Sequence, residues 1–495
     1  MLFHRADFLA FFLVVLAGYG LLGHRAQNRW LLLASYAFYS MWDWRFSGLM
    51  FATTLVDYLA AWGIAARPAW RRRCLLGSLA ANLGALGFFK YSNFFLDSIA
   101  RVAGALGLEA SLPAFTVVLP VGISFYTFQS IGYVVDVYRG AVPGQRPTLG
   151  PRRGDSLRSL LDSFTDFALY VSFFPQLVAG PIERSGRLLA QVQRARRISF
   201  DAIRDGCWLF GIGLVMKVAI ADPVGQQVDR VYSNPAAYDL ASLYVATLAF
   251  AIQIYCDFGG YSNMARGLAR IMGFELVVNF RQPYLATSFA DFWHRWHVSL
   301  STWIRDYLFL PLSRALLRRS PALTHAGLLR GVALLATVAA SGLWHGAAWA
   351  FVAWGVLHGA FLVAERMLPG PAPDRWSSAL PRLAYGVLVF HGVALGWFLF
   401  RTGDLAAAAA CLARPGGSSA LAAASALPFA LPELLPFVGF ALLSLLYDLP
   451  SWRADRVLFA RDFGAVHRLA LYAFAALMLL TAGGQADDPF IYFQF

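Results

Sequence analysis

Thirteen stretches of this chain are each apolar over roughly the 20 residues that a bilayer crossing needs. They are 7–23, 30–47, 48–66, 74–95, 114–138, 161–180, 206–221, 238–258, 328–345, 347–365, 382–400, 428–447 and 467–483. A water-soluble fold cannot bury so many. Inside lipid each backbone polar group must be satisfied within the protein, and continuous runs of this length do so as helices. The expected fold class is therefore all-α: a polytopic membrane protein of about ten to twelve transmembrane helices, with re-entrant and interfacial helices around a central cavity or tunnel. The whole chain, 1–495, reads as a single membrane domain. The first run lacks a small-residue cleavage site and more spans follow at once, so it reads as a retained helix rather than a signal peptide.

Charge agrees with this. Charged residues make up 14% of the chain, about half the share of a soluble protein. The net charge is +13, and only two of the basic residues, Lys90 and Lys217, are lysine. The arginines cluster in short loops between apolar runs, as they do on the cytoplasmic side of a membrane protein. With so little soluble chain, nucleic-acid binding is set aside in favour of anionic headgroups or an anionic substrate. The four cysteines, Cys74, Cys207, Cys256 and Cys411, are scattered and give neither a zinc spacing nor a disulfide framework.

Loop charges also mark where the chain does not simply cross. Arg67, Arg71, Arg72 and Arg73 put loop 67–73 inside, and counting back puts the N-terminus outside. Loop 139–160, with Arg139, Arg146, Arg152, Arg153 and Arg158, then falls inside. Loop 181–204 should fall outside, yet it carries Arg184, Arg187, Arg194, Arg196, Arg197 and Arg204. Segment 161–180 is therefore expected to be re-entrant or two half-helices, broken at Phe174-Pro175-Gln176-Leu177-Val178-Ala179-Gly180-Pro181. Such backbone survives at membrane depth only when buried in protein or lining a cavity. The stretch 256–320 is a second anomaly. Asp257, Arg266, Asp291, Arg295 and Arg305 make it too polar for lipid, and Trp293, Trp296 and Trp303 too aromatic for a loop. It reads as amphipathic helices in or dipping into the cytoplasmic interface. The tract 405–427 is alanine-rich, a simple helix and loop.

Of nine histidines, His4, His24, His325 and His467 read as surface groups. His294 and His297 share a helix face. His345 ends an apolar helix within Ser341-Gly342-Leu343-Trp344-His345-Gly346-Ala347, whose small residues leave room for a close neighbour or a substrate. A histidine inside a membrane is either hydrogen-bonded glue between helices or a functional group. His358 and His391 read as glue. For His345 both readings stand on composition, and its glycine-flanked aromatic setting, with a second histidine cluster on a polar segment, favours chemistry. Histidine titrates near neutral pH and can take a proton from a hydroxyl. A metal site of His294, His297 and His345 is disfavoured: no acidic residue stands at ligand spacing, and Arg295 would repel a cation. No Gly-x-Ser-x-Gly elbow and no Walker or Rossmann glycine pattern occurs.

Five motifs occur in order: Pro120-Val-Gly-Ile-Ser-Phe-Tyr-Thr-Phe-Gln129 with Tyr133 and Asp136; Phe173-Phe-Pro-Gln-Leu-Val-Ala-Gly-Pro-Ile182; Tyr255-Cys-Asp-Phe-Gly-Gly-Tyr-Ser262; Phe292-Trp-His-Arg-Trp-His-Val-Ser-Leu-Ser301 with Arg305-Asp-Tyr307; and Leu343-Trp-His-Gly346. With them the chain resembles the membrane-bound O-acyltransferases, in the branch that serves alginate O-acetylation and teichoic acid D-alanylation. The resemblance covers 88–401 as a catalytic core, leaving 402–495 as C-terminal transmembrane helices. The closing Phe490-Ile-Tyr-Phe-Gln-Phe495 is similar to the alginate side.

The resemblance implies a multi-pass acetyltransferase of the bacterial inner membrane. It implies His345 as the catalytic histidine and His297 as its functional partner, with His294 at a position that varies in the family. Acetyl-CoA is the expected cytoplasmic donor, its phosphates met by Arg295, Arg305 and His294, with no permanently bound cofactor and no metal. The acceptor is expected to be a periplasmic acetyltransferase partner or an extracellular polysaccharide itself. Three alternatives stand beside this: D-alanyl or other acyl transfer from a carrier protein, a transporter of polysaccharide or acyl carriers, and a scaffold that recruits extracytoplasmic enzymes.

Overall fold

The structure, a computed structural model, describes residues 2–108, 118–140, 157–319, 326–368, 373–413, 431–482 and 490. Among these the regular elements are all helical. Among the described residues eight helices are long and apolar enough to cross a membrane: His24–Ala66, Pro68–Ala105, Phe200–Tyr232, Leu240–Ile271, Ala326–His345, Trp349–Met367, Ala379–Thr402 and Leu435–Arg453. Two more, Ala6–Leu21 and Ala465–Thr481, are apolar but shorter. The protein is an all-α, multi-pass membrane protein. His325, the arginines at 146, 152 and 153, most of the alanine-rich tract and residues 491–495 lie outside the described residues.

The chain forms two compact units. The first comprises Met1–Cys207 and Ala265–Val277. It contains α1 (Ala6–Leu21), α2 (His24–Ala66), α3 (Arg71–Leu86), α4 (Ser92–Ala105), α5 (Ile123–Arg139), α6 (Leu157–Ser172), α7 (Phe174–Leu177) and α8 (Leu188–Val192). The runs 30–47 and 48–66, expected as separate spans, form one 43-residue helix, α2, broken only at Asp43 (φ −158°, ψ 115°). At 1.5 Å per residue that is about 65 Å, twice a hydrocarbon core of ~30 Å. At the break Arg45 forms an ion pair with Asp43 at 2.6 Å, and Trp42 and Trp44 are exposed, a combination suited to a membrane surface.

Segment 161–180 is broken, as its prolines and glycine require. α6 stops at Ser172, Phe173 leaves helical geometry (φ −52°, ψ 108°), and α7 adds one turn. Side chains satisfy the interrupted backbone. Ser35 Oγ accepts the Phe174 N–H at 3.1 Å. The freed Tyr170 carbonyl accepts N–H groups from Gln129 at 2.5 Å and Gln176 at 3.1 Å. Glu183, fully buried just beyond the break, accepts the Val277 N–H at 2.5 Å. Burial pushes its carboxyl up to about 7.

The second unit comprises Trp208–Met264 and Val278–Phe495. It takes the C-terminal part of α9 (Phe200–Leu214), α10 (Asp222–Tyr232), most of α11 (Leu240–Ile271), the short α12 (Phe289–Arg295) and α13 (Val298–Ile304), α14 (Leu310–Arg319), α15 (Ala326–His345), α16 (Trp349–Met367), α17 (Ala379–Thr402) and α18 (Leu405–Leu412). The polar stretch 256–320 is thus not interfacial throughout: residues 256–271 complete the membrane-length helix α11. Its charge there is compensated. Asp257 faces Lys217 at 3.0 Å, and Lys217 also meets Asp222 at 2.7 Å, all three buried. Only from α12 onward is the stretch built of short helices.

Candidate active site

α15 and α16 pack backbone against backbone. A Cβ on Gly342 would run into the Phe351 carbonyl, and one on Gly355 into the Val338 carbonyl. These glycines let the hairpin close, as small residues do between membrane helices. His345, the last residue of α15, is held there beside the start of α16. Its ring lies edge-on to Trp354 at 5.1 Å and to Phe400 of α17 at 5.6 Å. The small residues around it accommodate a close-packed neighbour, Phe351.

The second histidine arrives on α12 and α13. α12 is only seven residues long, so its exposed N–H groups need acceptors. Ser288 caps the helix by accepting the Asp291 N–H at 2.9 Å. Glu365, a buried residue of α16, accepts the N–H groups of Phe289 at 2.8 Å and Ala290 at 2.9 Å. At its C-terminal end the chain turns through His297, which adopts the left-handed conformation (φ 44°, ψ 52°) before α13 starts. That turn sends the ring into the core: His297 is 0% exposed. It packs edge-on to Phe258 of α11 at 4.7 Å and lies 6.4 Å, centroid to centroid, from His345.

Asn279 fixes the ring's protonation. Its Oδ1 accepts the Ser299 N–H at 3.2 Å and the Ser299 hydroxyl at 2.9 Å. A backbone N–H can point only at the amide oxygen, which settles the orientation of the Asn279 side chain. The same oxygen lies 3.2 Å from His297 Nδ1, so Nδ1 carries the proton and Nε2 the lone pair. Burial holds the imidazole far below its usual range, at about 3. His297 is therefore a neutral imidazole at physiological pH.

The five motifs divide between the units. The Pro120–Gln129 and Phe173–Ile182 motifs belong to the first unit, where Gln129 and Gln176 share a hydrogen bond at 3.1 Å. The other three converge on the histidines. In the Tyr255–Ser262 motif, Asp257 pairs with Lys217, Phe258 packs on His297, and Ser262 accepts from Asn279 at 3.4 Å.

The remaining predicted site residues stand apart from the pair. Arg295 is tied to Asp291 at 2.8 Å and donates to the Arg281 carbonyl at 3.2 Å. Arg305 is more than half exposed and pairs with Asp306 at 2.8 Å. His294 is exposed on α12. Sequence reasoning did not single out Asn279 or Glu365. It set His358 aside as glue, but His358 sits in the aromatic cluster of the site, 4.9 Å from Trp354 and 5.2 Å from Trp293. Neither of its ring nitrogens has a hydrogen-bond partner among the described residues. His391 does act as glue, linking α17 to α11 through the Tyr244 hydroxyl at 2.8 Å.

The fold is thus a multi-pass helical membrane protein with two histidines buried side by side, His297 and His345, 6.4 Å apart. Comparison gives the family. A family model described as membrane-bound O-acyltransferase family matches residues 109–369. The protein named probable alginate O-acetylase AlgI in Pseudomonas putida is 38% identical over 418 residues, 83% of this chain and 79% of that one. A peptidoglycan O-acetyltransferase of Helicobacter pylori is 32% identical over 427 residues, 82% of this chain and 78% of that one. A teichoic acid D-alanyltransferase of Bacillus subtilis is 25% identical over 309 residues, 58% of this chain and 70% of that one. This chain belongs to the membrane-bound O-acyltransferase family, and it is an O-acyltransferase.

Proposed function

We propose that the protein takes an acetyl group from acetyl-CoA on the cytoplasmic side of the bacterial inner membrane and passes it to a hydroxyl on the other side, for O-acetylation of an extracytoplasmic polysaccharide. The observation that carries this reading is the pairing of His297 and His345, buried 6.4 Å apart. The names of the more similar relatives, alginate O-acetylase and peptidoglycan O-acetyltransferase, favour acetyl over D-alanyl and a polysaccharide as the final acceptor. The immediate acceptor is a hydroxyl on a periplasmic transferase partner or on the polymer.

His345 is the general base. It removes the proton as the acceptor oxygen attacks the thioester carbonyl. The C–O bond forms, the C–S bond breaks, and the proton passes from His345 to the departing thiolate, giving CoA thiol and an acetyl ester. Proton transfer of this kind contributes ~10²–10⁴ in rate. His297 is kept neutral by burial and in one tautomer by Asn279, so it orients a reactant by hydrogen bonding without carrying charge. Holding both reactants in one site contributes further. On the donor side Arg305, with Arg295 and His294, meets the anionic phosphates. No metal enters the scheme.

The test uses the purified chain in nanodiscs with acetyl-labelled acetyl-CoA. Labelled product is expected from the wild type and a loss of ~10³-fold or more from His345→Ala. Wild-type transfer by that variant sinks the catalytic assignment. An acyl carrier protein that donates where acetyl-CoA does not sinks the donor assignment.

A further inference from the structure

Among the described residues, three other than glycine have positive φ: Gln282 (47°), His297 (44°) and Asp455 (50°). Such backbone is uncommon without glycine and persists where the surroundings hold it. Two of the three bracket the stretch 282–297, which delivers the second histidine. Asn279 and the aromatic packing hold His297. Gln282 has a different holder.

That holder is Asp448, from the membrane-length helix Leu435–Arg453. The Tyr255 hydroxyl lies 3.2 and 3.3 Å from its two carboxylate oxygens, and Gln282 lines the same cavity with its side chain turned to interact with it. Asp448 is only 6% exposed. Among the described residues no cation lies in ion-pair range of it. A carboxylate buried at membrane depth is costly to keep and calls for a role. Filling space is not that role: Asp448 borders a cavity of about 320 Å³, together with Tyr255, Gln282, Tyr284, Phe440 and Leu445. Among the described residues its polar partners are Tyr255 and Gln282 rather than the histidines, and Tyr255 packs on Phe280 at 6.1 Å, which in turn lies 6.4 Å from His297. What it reaches is the irregular segment ending at Gln282. Asn279 lies three residues upstream on that segment and accepts from His297 through Oδ1 and from Val298 N–H through its carbonyl at 2.9 Å.

We infer that Asp448 is a positioning residue for the acyl-transfer site: by holding Gln282 in its left-handed turn, it sets the segment from which Asn279 orients His297. The inference rests on His297 and His345 being the reacting pair. On this reading Asp448 acts on the geometry of the reacting pair and not on donor binding, so its loss lowers kcat and leaves KM alone.

The experiment measures kcat and KM for labelled acetyl-CoA with the full chain in nanodiscs. Asp448→Ala is expected to lower kcat ~10–100-fold, the scale of a small misplacement at a reacting centre, with KM for the donor unchanged. Asp448→Asn has the same shape and keeps one acceptor oxygen, so it recovers part of the loss and reports on the site even where the alanine variant folds poorly. Glycine adopts the left-handed turn without help. In a Gln282→Gly background Asp448→Ala should therefore cost less than ~3-fold more, a non-additivity that residues acting in series show. Wild-type kcat in both Asp448 variants overturns the inference, as does a full, additive loss in the Gln282→Gly background. His297→Ala separates the layers: wild-type turnover there removes the histidine pair, whereas its inactivity beside active Asp448 variants removes this inference alone.

Discussion

Asn279 Oδ1 sits 3.2 Å from His297 Nδ1 and takes the Ser299 N–H and hydroxyl through the same oxygen. One amide thus decides which nitrogen of a buried imidazole is basic. Asn279→Ala leaves the tautomer undetermined and should lower kcat by ~10² or more, in line with tautomer loss at other histidine sites. Asn279→Asp keeps the acceptor but adds a negative charge, which favours the imidazolium. The His297 pKa should climb from about 3, and the acid limb of the pH–rate profile should move to higher pH. An unmoved acid limb in the aspartate variant refutes this account of the ring.

Glu365 accepts two N–H groups at the start of α12, Phe289 and Ala290. Glu365→Ala leaves both without acceptors in a buried setting, at a cost of ~1–3 kcal/mol. Glu365→Gln retains one oxygen and should lose about half as much. Thermal unfolding in detergent checks the ranking, and identical midpoints for the two variants contradict it.

Glu183 is a carboxyl raised to about 7 by burial. Its unfolded value lies near the ordinary ~4.5, so the folded state holds the proton more tightly. The stability this confers is complete below ~4.5 and is lost as pH rises through about 7. Glu183→Gln should remove that component, flattening the dependence of the unfolding midpoint on pH across this window. A slope equal to that of the wild type is the contrary result.

Lys217 bridges Asp222 and Asp257 at 2.7 and 3.0 Å in the interior. Lys217→Met strands two buried carboxylates and should destabilise by ~3–5 kcal/mol. Adding Asp222→Asn and Asp257→Asn removes the stranded charge and should recover much of the loss. Yield and unfolding midpoint in detergent measure both, and a triple variant no better than Lys217→Met speaks against a charge origin.

The membrane spans were readable because a bilayer tests each run of residues by itself, and runs such as 328–345 and 347–365 coincide with α15 and α16 within two residues. The break after Ser172 was readable because proline and glycine act locally. Asp43 was harder: one non-helical residue separates two apolar runs without ending the helix. The candidate site was half legible. His345 and His297 stand in motifs, but the groups that surround His297 and cap α12 come from elsewhere. Asn279 lies 18 residues before its histidine, Glu365 lies 76 residues beyond Phe289, and Asp448 lies 193 residues from Tyr255. None belongs to a periodic pattern, because a hydrogen bond across helices obeys no spacing. The positive φ of His297 was invisible for the same reason: histidine has no preference that announces it, and only packing imposes it.

The glycine crossing of α15 and α16 has a bearing on which acyl groups the site can take. Backbone touches backbone there, so the seat of His345 cannot shift inward or outward to suit a bulkier donor. Room for a longer acyl chain has to come from removable rings, and Trp344, Trp354 and Phe400 lie beside His345. On the proposed assignment of His345, selectivity for chain length is separable from the fold: ring size can be altered, in the laboratory or by descent, while the crossing of α15 and α16 keeps the seat of His345.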